Sequence, residues 1–185
     1  MASQSTVLRT QRYEAVRVAF KASPEKTTDV WLTQPWIMSR LGTFNLDPCA
    51  APAPRPWPTA SKHYDITCGK DGLTLPWKGR VWLNPPYSNA DPWVQKMSEH
   101  KSGIACLAVK CETRRWMEYI WPSATAIFLL APRVMFMTSD GRQSLGITHQ
   151  TALVAWSKRD AVILRRADFN GVLLENWKVV EGAKL

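Results

Sequence analysis

The sequence lacks the features that mark membrane and secreted proteins. It contains no run of about 18 consecutive apolar residues, so we predict no membrane-spanning helix. Residues 1–21 are polar, carry three arginines and have no apolar signal-peptide core, so we expect a cytoplasmic protein. None of the four cysteines forms a CxxC pair or pairs with a nearby histidine. We therefore predict reduced thiols and no metal site.

Acidic residues are also scarce relative to basic ones. The chain has 24 Lys and Arg against 15 Asp and Glu, for a net charge of +9. This balance favours a polyanionic partner, which such a protein binds through phosphate contacts, although a basic surface can also serve solubility alone. With 185 residues the chain is long enough for one domain with a sizeable core. We predict a polar N-terminal leader over 1–28 and a single domain over 29–185.

Apolar periodicity and turn residues predict strands that alternate with helices. The predicted helices are 13–20, 35–41, 91–100 and 114–121, and the predicted strands are 43–46, 81–83, 104–109, 124–130, 134–137, 152–156 and 161–164. We expect 134–137 and 152–156 to be antiparallel partners on either side of the polar loop 138–150. The alternation predicts an α/β fold with a mostly parallel sheet and a C-terminal antiparallel hairpin.

One strand end carries residues suited to gripping a planar group with an exocyclic amine. The apolar run 81–83 stops at Asn84-Pro85-Pro86-Tyr87, and two prolines cannot continue a sheet because they donate no N–H and fix φ. Asn84 Oδ1 and the Pro85 carbonyl can both accept hydrogen bonds from one NH2 group. Tyr87 can stack on the ring that carries this amine.

A second strand end, Asp47-Pro48-Cys49-Ala50, has the character of a cofactor site. Ligands of open α/β sheets bind beyond the carboxyl ends of the strands. An acidic residue followed by small neighbours lets a cationic cofactor approach the backbone closely. The proline-rich stretch 51–58 that follows can be neither helix nor central strand, so we predict a loop.

Four sequence segments together resemble the phage-type DNA N-6-adenine-methyltransferase family over about 29–156. The segments are 29–35 (Asp-Val-Trp-Leu-Thr-Gln-Pro), 44–50 (Phe-Asn-Leu-Asp-Pro-Cys-Ala), 71–88 with its Asn-Pro-Pro-Tyr turn, and a less specific stretch in 110–116 and 133–136. The resemblance implies a Rossmann-like class I methyltransferase fold and S-adenosyl-L-methionine as the methyl donor.

The resemblance also implies roles for individual residues. It implies that the catalytic residues are Asn84, Pro85, Pro86 and Tyr87. It also implies that the cofactor is bound by Trp31, Thr33, Asp47, Pro48, Cys49, Ala50, Asp71, Gly72 and Leu73.

The expected reaction is methylation of adenine N6 in duplex DNA by a phage or prophage enzyme. A base inside a duplex must be flipped out to reach such a turn. The chain has no room for a separate recognition domain, so we expect the loops 51–62 and 138–150 to read a short target. The candidate DNA contacts are Arg55, Lys62, Ser88, Arg133 and Arg142.

Three other functions use a similar turn or fold. Enzymes that methylate adenine in RNA or glutamine in proteins carry the same turn, and the +9 charge argues mildly against a protein substrate. An inactive DNA-binding relative is the third alternative. It is motivated by Gln34, which separates Thr33 from Pro35, and by Cys49-Ala50-Ala51, which stands where many methyltransferases have a glycine-rich turn.

Overall fold

The structure is a computed structural model that describes residues 31–131, 133–137 and 149–180. The predicted leader 1–28 with its helix 13–20, Arg142 and most of the loop 138–150 lie outside the described residues. Within them, the helices are α1 (Pro35–Leu41), α2 (Asp91–His100) and α3 (Lys158–Arg166), with 3-10 turns at Ile66–Cys68 and Tyr87–Asn89 and a π-helix at Arg115–Ile120. None of these helices is long and apolar enough to cross a membrane.

Seven strands form one sheet. They are β1 (Leu46–Asp47), β2 (Lys62–His63), β3 (Val81–Leu83), β4 (Gly103–Ala108), β5 (Ala126–Leu130), β6 (Thr151–Ala155) and β7 (Gly171–Leu174). Their order is β2-β1-β3-β4-β6-β5-β7. The first four strands are parallel, whereas β4–β6, β6–β5 and β5–β7 pair antiparallel. The α/β fold is confirmed, but only the first half of the sheet is parallel.

The predicted pairing of 134–137 with 152–156 is wrong. β6 pairs with β4 on one side and β5 on the other, so neither of its edges is free. Residues 134–137 lie outside the sheet, and Met137 forms an isolated bridge with Leu32. Val134 and Phe136 are buried in the hydrophobic cluster on the α1 and α3 face, so their alternation reflects packing onto that core rather than a strand within the sheet.

The predicted strand 161–164 is also wrong, because these residues belong to α3. Ser157 caps this helix by accepting a hydrogen bond from the Asp160 N–H, and the buried residues Asp160, Ala161 and Leu164 follow helical spacing. The short strands β2 and β7 were not predicted, since neither has a marked apolar alternation. The predicted helices 35–41, 91–100 and 114–121 and the strands 81–83, 104–109 and 124–130 are confirmed within a few residues.

A hydrophobic core covers each face of the sheet. Trp82, Ile104 and Cys106 face α1 and α3, whereas the alternate residues of β3 and β4 face α2 and the π-helix. Strands buried on both faces are expected where parallel strands are covered by helices. The sheet therefore holds the carboxyl ends of β1 and β3 side by side, with Asp47 at one end and Asn84 following the other.

Candidate active site

Asn84 is held with its amide oxygen unpaired. Its Nδ2 donates to the Trp31 carbonyl at 3.0 Å and to Thr33 Oγ1 at 3.3 Å. Its Oδ1 is buried and has no hydrogen-bond partner among the described residues. A buried acceptor without a partner costs free energy, so native structures rarely leave one unless a ligand or water completes it. Trp31 and Thr33 thus orient the amide so that its oxygen can accept from a ligand.

The end of β1 lies against the same turn. The Cys49 thiol donates to the Asn84 carbonyl at 3.3 Å, and Asp47 Oδ1 accepts from the Cys49 N–H at 3.1 Å. Asp47 Oδ2 accepts from the Thr59 hydroxyl. Cys49 therefore links the buried Asp47 carboxyl to Asn84, and the two strand ends predicted to carry the site are in contact.

The turn 71–73 packs beneath the strand end of β1. A Cβ at Gly72 would lie 1.8 Å from the Pro48 carbonyl oxygen, so only glycine allows this approach. Asp71 Oδ1 accepts from the Leu73 N–H at 2.8 Å, and the ammonium of Lys96 donates to the Gly72 and Leu73 carbonyls at 3.1 and 2.7 Å. The predicted cofactor segments 47–50 and 71–73 therefore form one continuous surface.

A small cavity of about 30 Å³ lies where the ends of β1 and β3 meet, and the turn 71–73 does not line it. It is lined by Trp31, Thr33, Asp47, Cys49 and Asn84, which were predicted, and by Leu32, Ala51, Arg55, Trp57, Thr59 and Trp82. The Trp57 indole N–H donates to the Thr33 carbonyl at 2.9 Å, which ties the proline-rich loop over the cavity. Trp57 and Thr59 were not predicted as site residues, although a tryptophan in a proline-rich loop after a candidate strand end is a signal that could have indicated them.

Tyr87 begins the 3-10 turn that follows the two prolines, and its ring lies edge-on to Phe136 at a centroid separation of 6.3 Å. Its hydroxyl is buried and has no hydrogen-bond partner among the described residues. Burial raises the pKa of this phenol far above its usual value, so it stays protonated. The hydroxyl thus points into the protein, and the ring is the part of Tyr87 that remains for contact with a ligand.

Residues 21–163 match the family described as DNA N-6-adenine-methyltransferase (Dam). The chain belongs to this family. It is also 28% identical over 123 residues to the DNA N-6-adenine-methyltransferase of Haemophilus phage HP1 (strain HP1c1), a match that covers 60% of this chain and 68% of the relative. No solved structure matches the chain. Membership of the Dam family confirms the predicted family and the predicted enzyme class, an adenine-specific DNA methyltransferase.

Four of the DNA contacts predicted for this Dam-family chain lie among the described residues, and each has different surroundings. Arg55 lines the cavity and pairs with Asp65 at 2.9 Å. Lys62 lies exposed on β2 with its ammonium 5.1 Å from the Tyr64 ring centroid, and Ser88 is exposed in the 3-10 turn. Arg133 is exposed in a separate groove. Their contact with DNA stays a prediction, and the pairing of Arg55 favours a structural role at the cavity wall.

The buried carboxyl of this Dam-family site gives a testable pH dependence of stability. Burial raises the pKa of Asp47 to about 6, and the hydrogen bonds of Thr59 and Cys49 oppose this only in part. In the unfolded chain the pKa of Asp is about 3.9. Because the folded protein holds the Asp47 proton more tightly than the unfolded chain does, protonation of Asp47 stabilises the fold. This contribution is fully present below about pH 4 and is lost as the pH rises through about 6. Asp47→Asn is neutral throughout, so wild type should lose on the order of 3 kcal/mol relative to it between pH 4 and 7.

Urea unfolding of both proteins at half-unit pH steps measures this difference. Asp65→Asn is the matched control, because its effect has the opposite sign. Although burial alone would raise it, hydrogen bonds from Thr67 and Ala53 together with the Arg55 cation lower the pKa of Asp65. Wild type should therefore lose stability relative to Asp65→Asn as the pH falls. A stability difference between wild type and Asp47→Asn that does not change with pH would show that Asp47 ionises normally.

Proposed function

We propose that this chain transfers a methyl group from S-adenosyl-L-methionine directly to the N6 amine of an adenine flipped out of duplex DNA. The observation that carries the proposal is the buried Asn84 Oδ1 at the carboxyl end of β3, which has no partner among the described residues, in a chain of the Dam family. The sheet order, with parallel strands up to β4 and the reversed strand β6 beyond it, supports a Rossmann-like class I methyltransferase fold.

The residues of the site fit S-adenosyl-L-methionine in their chemistry. The cofactor carries an ammonium, a sulfonium and a ribose diol, and Asp47 supplies a buried carboxyl at the strand end that can pair with a cation or accept from a hydroxyl. The absence of a side chain at Gly72 allows its backbone to approach Pro48 closely, which keeps the segments 47–50 and 71–73 together. The cavity where the ends of β1 and β3 meet is only about 30 Å³ and Trp57 lines it, so we expect the loop 51–59 to move when the cofactor binds.

The catalytic turn acts on the amine of the base. Asn84 Oδ1 and the Pro85 carbonyl accept its two hydrogens and draw the nitrogen toward a tetrahedral geometry, in which its lone pair is free to react. Both oxygens stabilise the positive charge that develops on nitrogen, and fixed dipoles of this kind often contribute more to catalysis than any other effect. The sulfonium of the cofactor supplies an electrophilic methyl group. The methylated nitrogen then loses a proton to solvent, so the site needs no tuned general base.

The cysteines next to the site support direct transfer. Burial, reinforced by the Asp47 carboxyl, raises the pKa of Cys49 well above its usual value, and its thiol is engaged with the Asn84 carbonyl. Burial raises the pKa of Cys106 to about 12. Since the thiolate is the nucleophilic form, neither residue can form a covalent intermediate with the base at neutral pH.

Methyl transfer from labelled S-adenosyl-L-methionine to unmethylated duplex DNA, followed by nucleoside analysis, tests the proposal. The expected product is N6-methyladenine. Transfer to RNA or to protein glutamine but not to duplex DNA would overturn the substrate assignment. Absence of cofactor binding by calorimetry would overturn the activity and leave a DNA-binding relative. Because loops 51–62 and 138–150 are short, mapping the modified adenines in random duplexes should give a short recognition site.

Mutants should distinguish the role of the Tyr87 hydroxyl from that of the Tyr87 ring. Tyr87→Phe removes a buried hydroxyl without a described partner, so we expect activity within about twofold of wild type and a gain of about 1 kcal/mol in the free energy of unfolding. Tyr87→Ala removes the ring and should lower kcat/KM for DNA by about 100-fold, the scale of one lost base stack. Steady-state methylation of a short duplex and thermal unfolding measure both effects. A large loss of activity in Tyr87→Phe would assign the hydroxyl a direct role.

A further inference from the structure

A second cavity, of about 400 Å³, opens beside the site and takes no part in the chemistry above. We call it the arginine groove, and its relevant lining residues are Trp36, Arg40, Arg133, Asp168, Phe169 and Asn170. Its volume lies in the range of about 300–1,000 Å³ that is typical of ligand pockets. Buried Val134 forms part of its floor.

The groove shares its walls with the catalytic turn. Residue 34, which lines the groove, follows Thr33, whose hydroxyl holds Asn84. Residue 135, also in the lining, precedes Phe136, whose ring contacts Tyr87. The Leu32–Met137 bridge joins the two segments, with N–O distances of 2.8 and 3.0 Å. The same two backbone segments therefore wall both the groove and the turn.

The aromatic and cationic side chains of the groove are arranged for a ligand with a ring and an anion. Trp36 is 40% exposed and stands edge-on to Phe169 at 5.8 Å. The Arg40 guanidinium lies 5.3 Å from the Trp36 ring centroid and 5.6 Å from that of Phe169. Neither Arg40 nor Arg133 forms an ion pair with any residue in the described ranges. Two arginines without counter-ions beside an exposed indole are suited to a phosphate and a base.

The remaining polar residues of the groove suit the base of a nucleotide. Asp168 and Asn170 supply oxygens that can accept hydrogen bonds from base amino groups. Gln34 orders the wall, because its amide donates to the Met135 carbonyl and accepts from the Trp36 indole N–H. Gln34, which separates Thr33 from Pro35, therefore holds the exposed tryptophan in place.

We propose that the arginine groove binds a nucleotide that adjoins the target adenine on the same DNA strand. Its base stacks on Trp36 and its phosphate pairs with Arg40 and Arg133. The groove and the turn are walled by the same two backbone segments, so a strand with its adenine at the turn brings the adjoining nucleotide toward the groove. This proposal rests on the proposed DNA methylation and adds a contact that positions the strand and selects the base beside the target.

The first test replaces the two arginines. Arg40→Gln and Arg133→Gln should each raise KM for duplex DNA about tenfold, with kcat and the KM for S-adenosyl-L-methionine unchanged. Each should also reduce the slope of log K against log salt by about 1, the effect of one lost phosphate contact. Arg159→Gln is the matched control, because Arg159 is exposed and lies in the first turn of α3, at the opposite edge of the sheet, beside the start of β4. A KM for DNA that is unchanged in both groove variants, or raised equally in the control, would overturn the proposal.

The second test asks whether Trp36 stacks on a base. Duplexes with a single abasic site are compared at each position flanking the target adenine. At one position, loss of the base should weaken binding to wild type about tenfold, and Trp36→Ala should be insensitive to the same change. Trp36→Phe should restore part of the sensitivity because it keeps a ring. Equal sensitivity of wild type and Trp36→Ala at every position would overturn the stacking contact.

Binding of fluorescently labelled duplex is measured alongside activity, which separates the two proposals. If wild type methylates no DNA but the groove variants still weaken binding relative to Arg159→Gln, the groove assignment stands and the proposed reaction fails. If wild type methylates DNA and the groove variants bind and react as wild type does, the reaction stands and the groove assignment fails.

Discussion

Asn84→Ala is expected to lower kcat for methyl transfer by about 1,000-fold while leaving the fold intact. Loss of one preorganised hydrogen-bonding group from a catalytic site costs about 10²–10³ in kcat, and alanine here removes both the free Oδ1 and the amide that anchors the turn to Trp31 and Thr33. The free energy of unfolding should change little, because the lost hydrogen bonds are offset by removal of a buried acceptor that has no described partner.

Two further variants make the Asn84 experiment specific. Asn89→Ala changes an exposed asparagine in the adjoining 3-10 turn and should leave kcat unchanged. Asn84→Asp keeps an acceptor at the same place but loses the Nδ2 donor, so it should retain more activity than alanine. Single-turnover methylation of a short duplex at saturating cofactor measures the chemical step. If Asn84→Ala reacted at the wild-type rate, catalysis by the turn would have to rest on the Pro85 carbonyl alone.

Local signals in the sequence were sufficient to place several residues of the candidate site at strand ends. The Pro-Pro pair ends β3 whatever the rest of the chain does, because proline cannot donate to a sheet, and Asn84 therefore had to follow a strand end. The helix 91–100 was similarly visible, since Trp93, Val94 and Met97 share one face at helical spacing and all three are buried. The contact between the ends of β1 and β3 followed from the rule that parallel strands present their carboxyl ends at one edge.

The sequence did not indicate which strands pair when they lie far apart in the chain. The segments 134–137 and 152–156 are both apolar, and nothing local distinguishes a strand that pairs with its neighbour in sequence from one inserted between β4 and β5. For the same reason the sequence did not indicate Thr59 as a site residue. Thr59 contacts Asp47 because the proline-rich loop turns back and β2 pairs with β1. Arg55 has the charge expected of a DNA contact, and the sequence did not indicate that it forms a salt bridge with Asp65, ten residues later.

Asp160→Ala is expected to destabilise the protein by about 3–5 kcal/mol, the usual effect of breaking a buried ion pair. The Asp160 carboxylate lies 2.6 Å from Arg80 Nε, and the two side chains are 1% and 5% exposed. Asp160 also accepts from the Gly103 N–H at 2.9 Å. Removing it leaves the Arg80 cation buried, with the Leu41 and Thr43 carbonyls as acceptors and the Phe44 ring 3.9 Å away. Carbonyl dipoles and a ring face compensate a buried cation less well than a carboxylate does.

Thermal unfolding measures the loss, which should lower Tm by about 10 °C for a chain of this size, at about 2–4 °C per kcal/mol. Glu175→Gln, which breaks the exposed Arg165–Glu175 pair, is the control and should shift Tm little, because surface pairs are screened by water. Arg80→Met combined with Asp160→Asn removes both charges and should recover part of the stability.

Since Asp160 contacts the start of β4, at the edge of the sheet opposite Asn84, folded Asp160→Ala should keep the wild-type kcat at low temperature. A Tm close to that of Glu175→Gln would mean that water or a rearranged neighbour compensates Arg80, and a loss of kcat in the folded variant would mean that the two edges of the sheet are coupled.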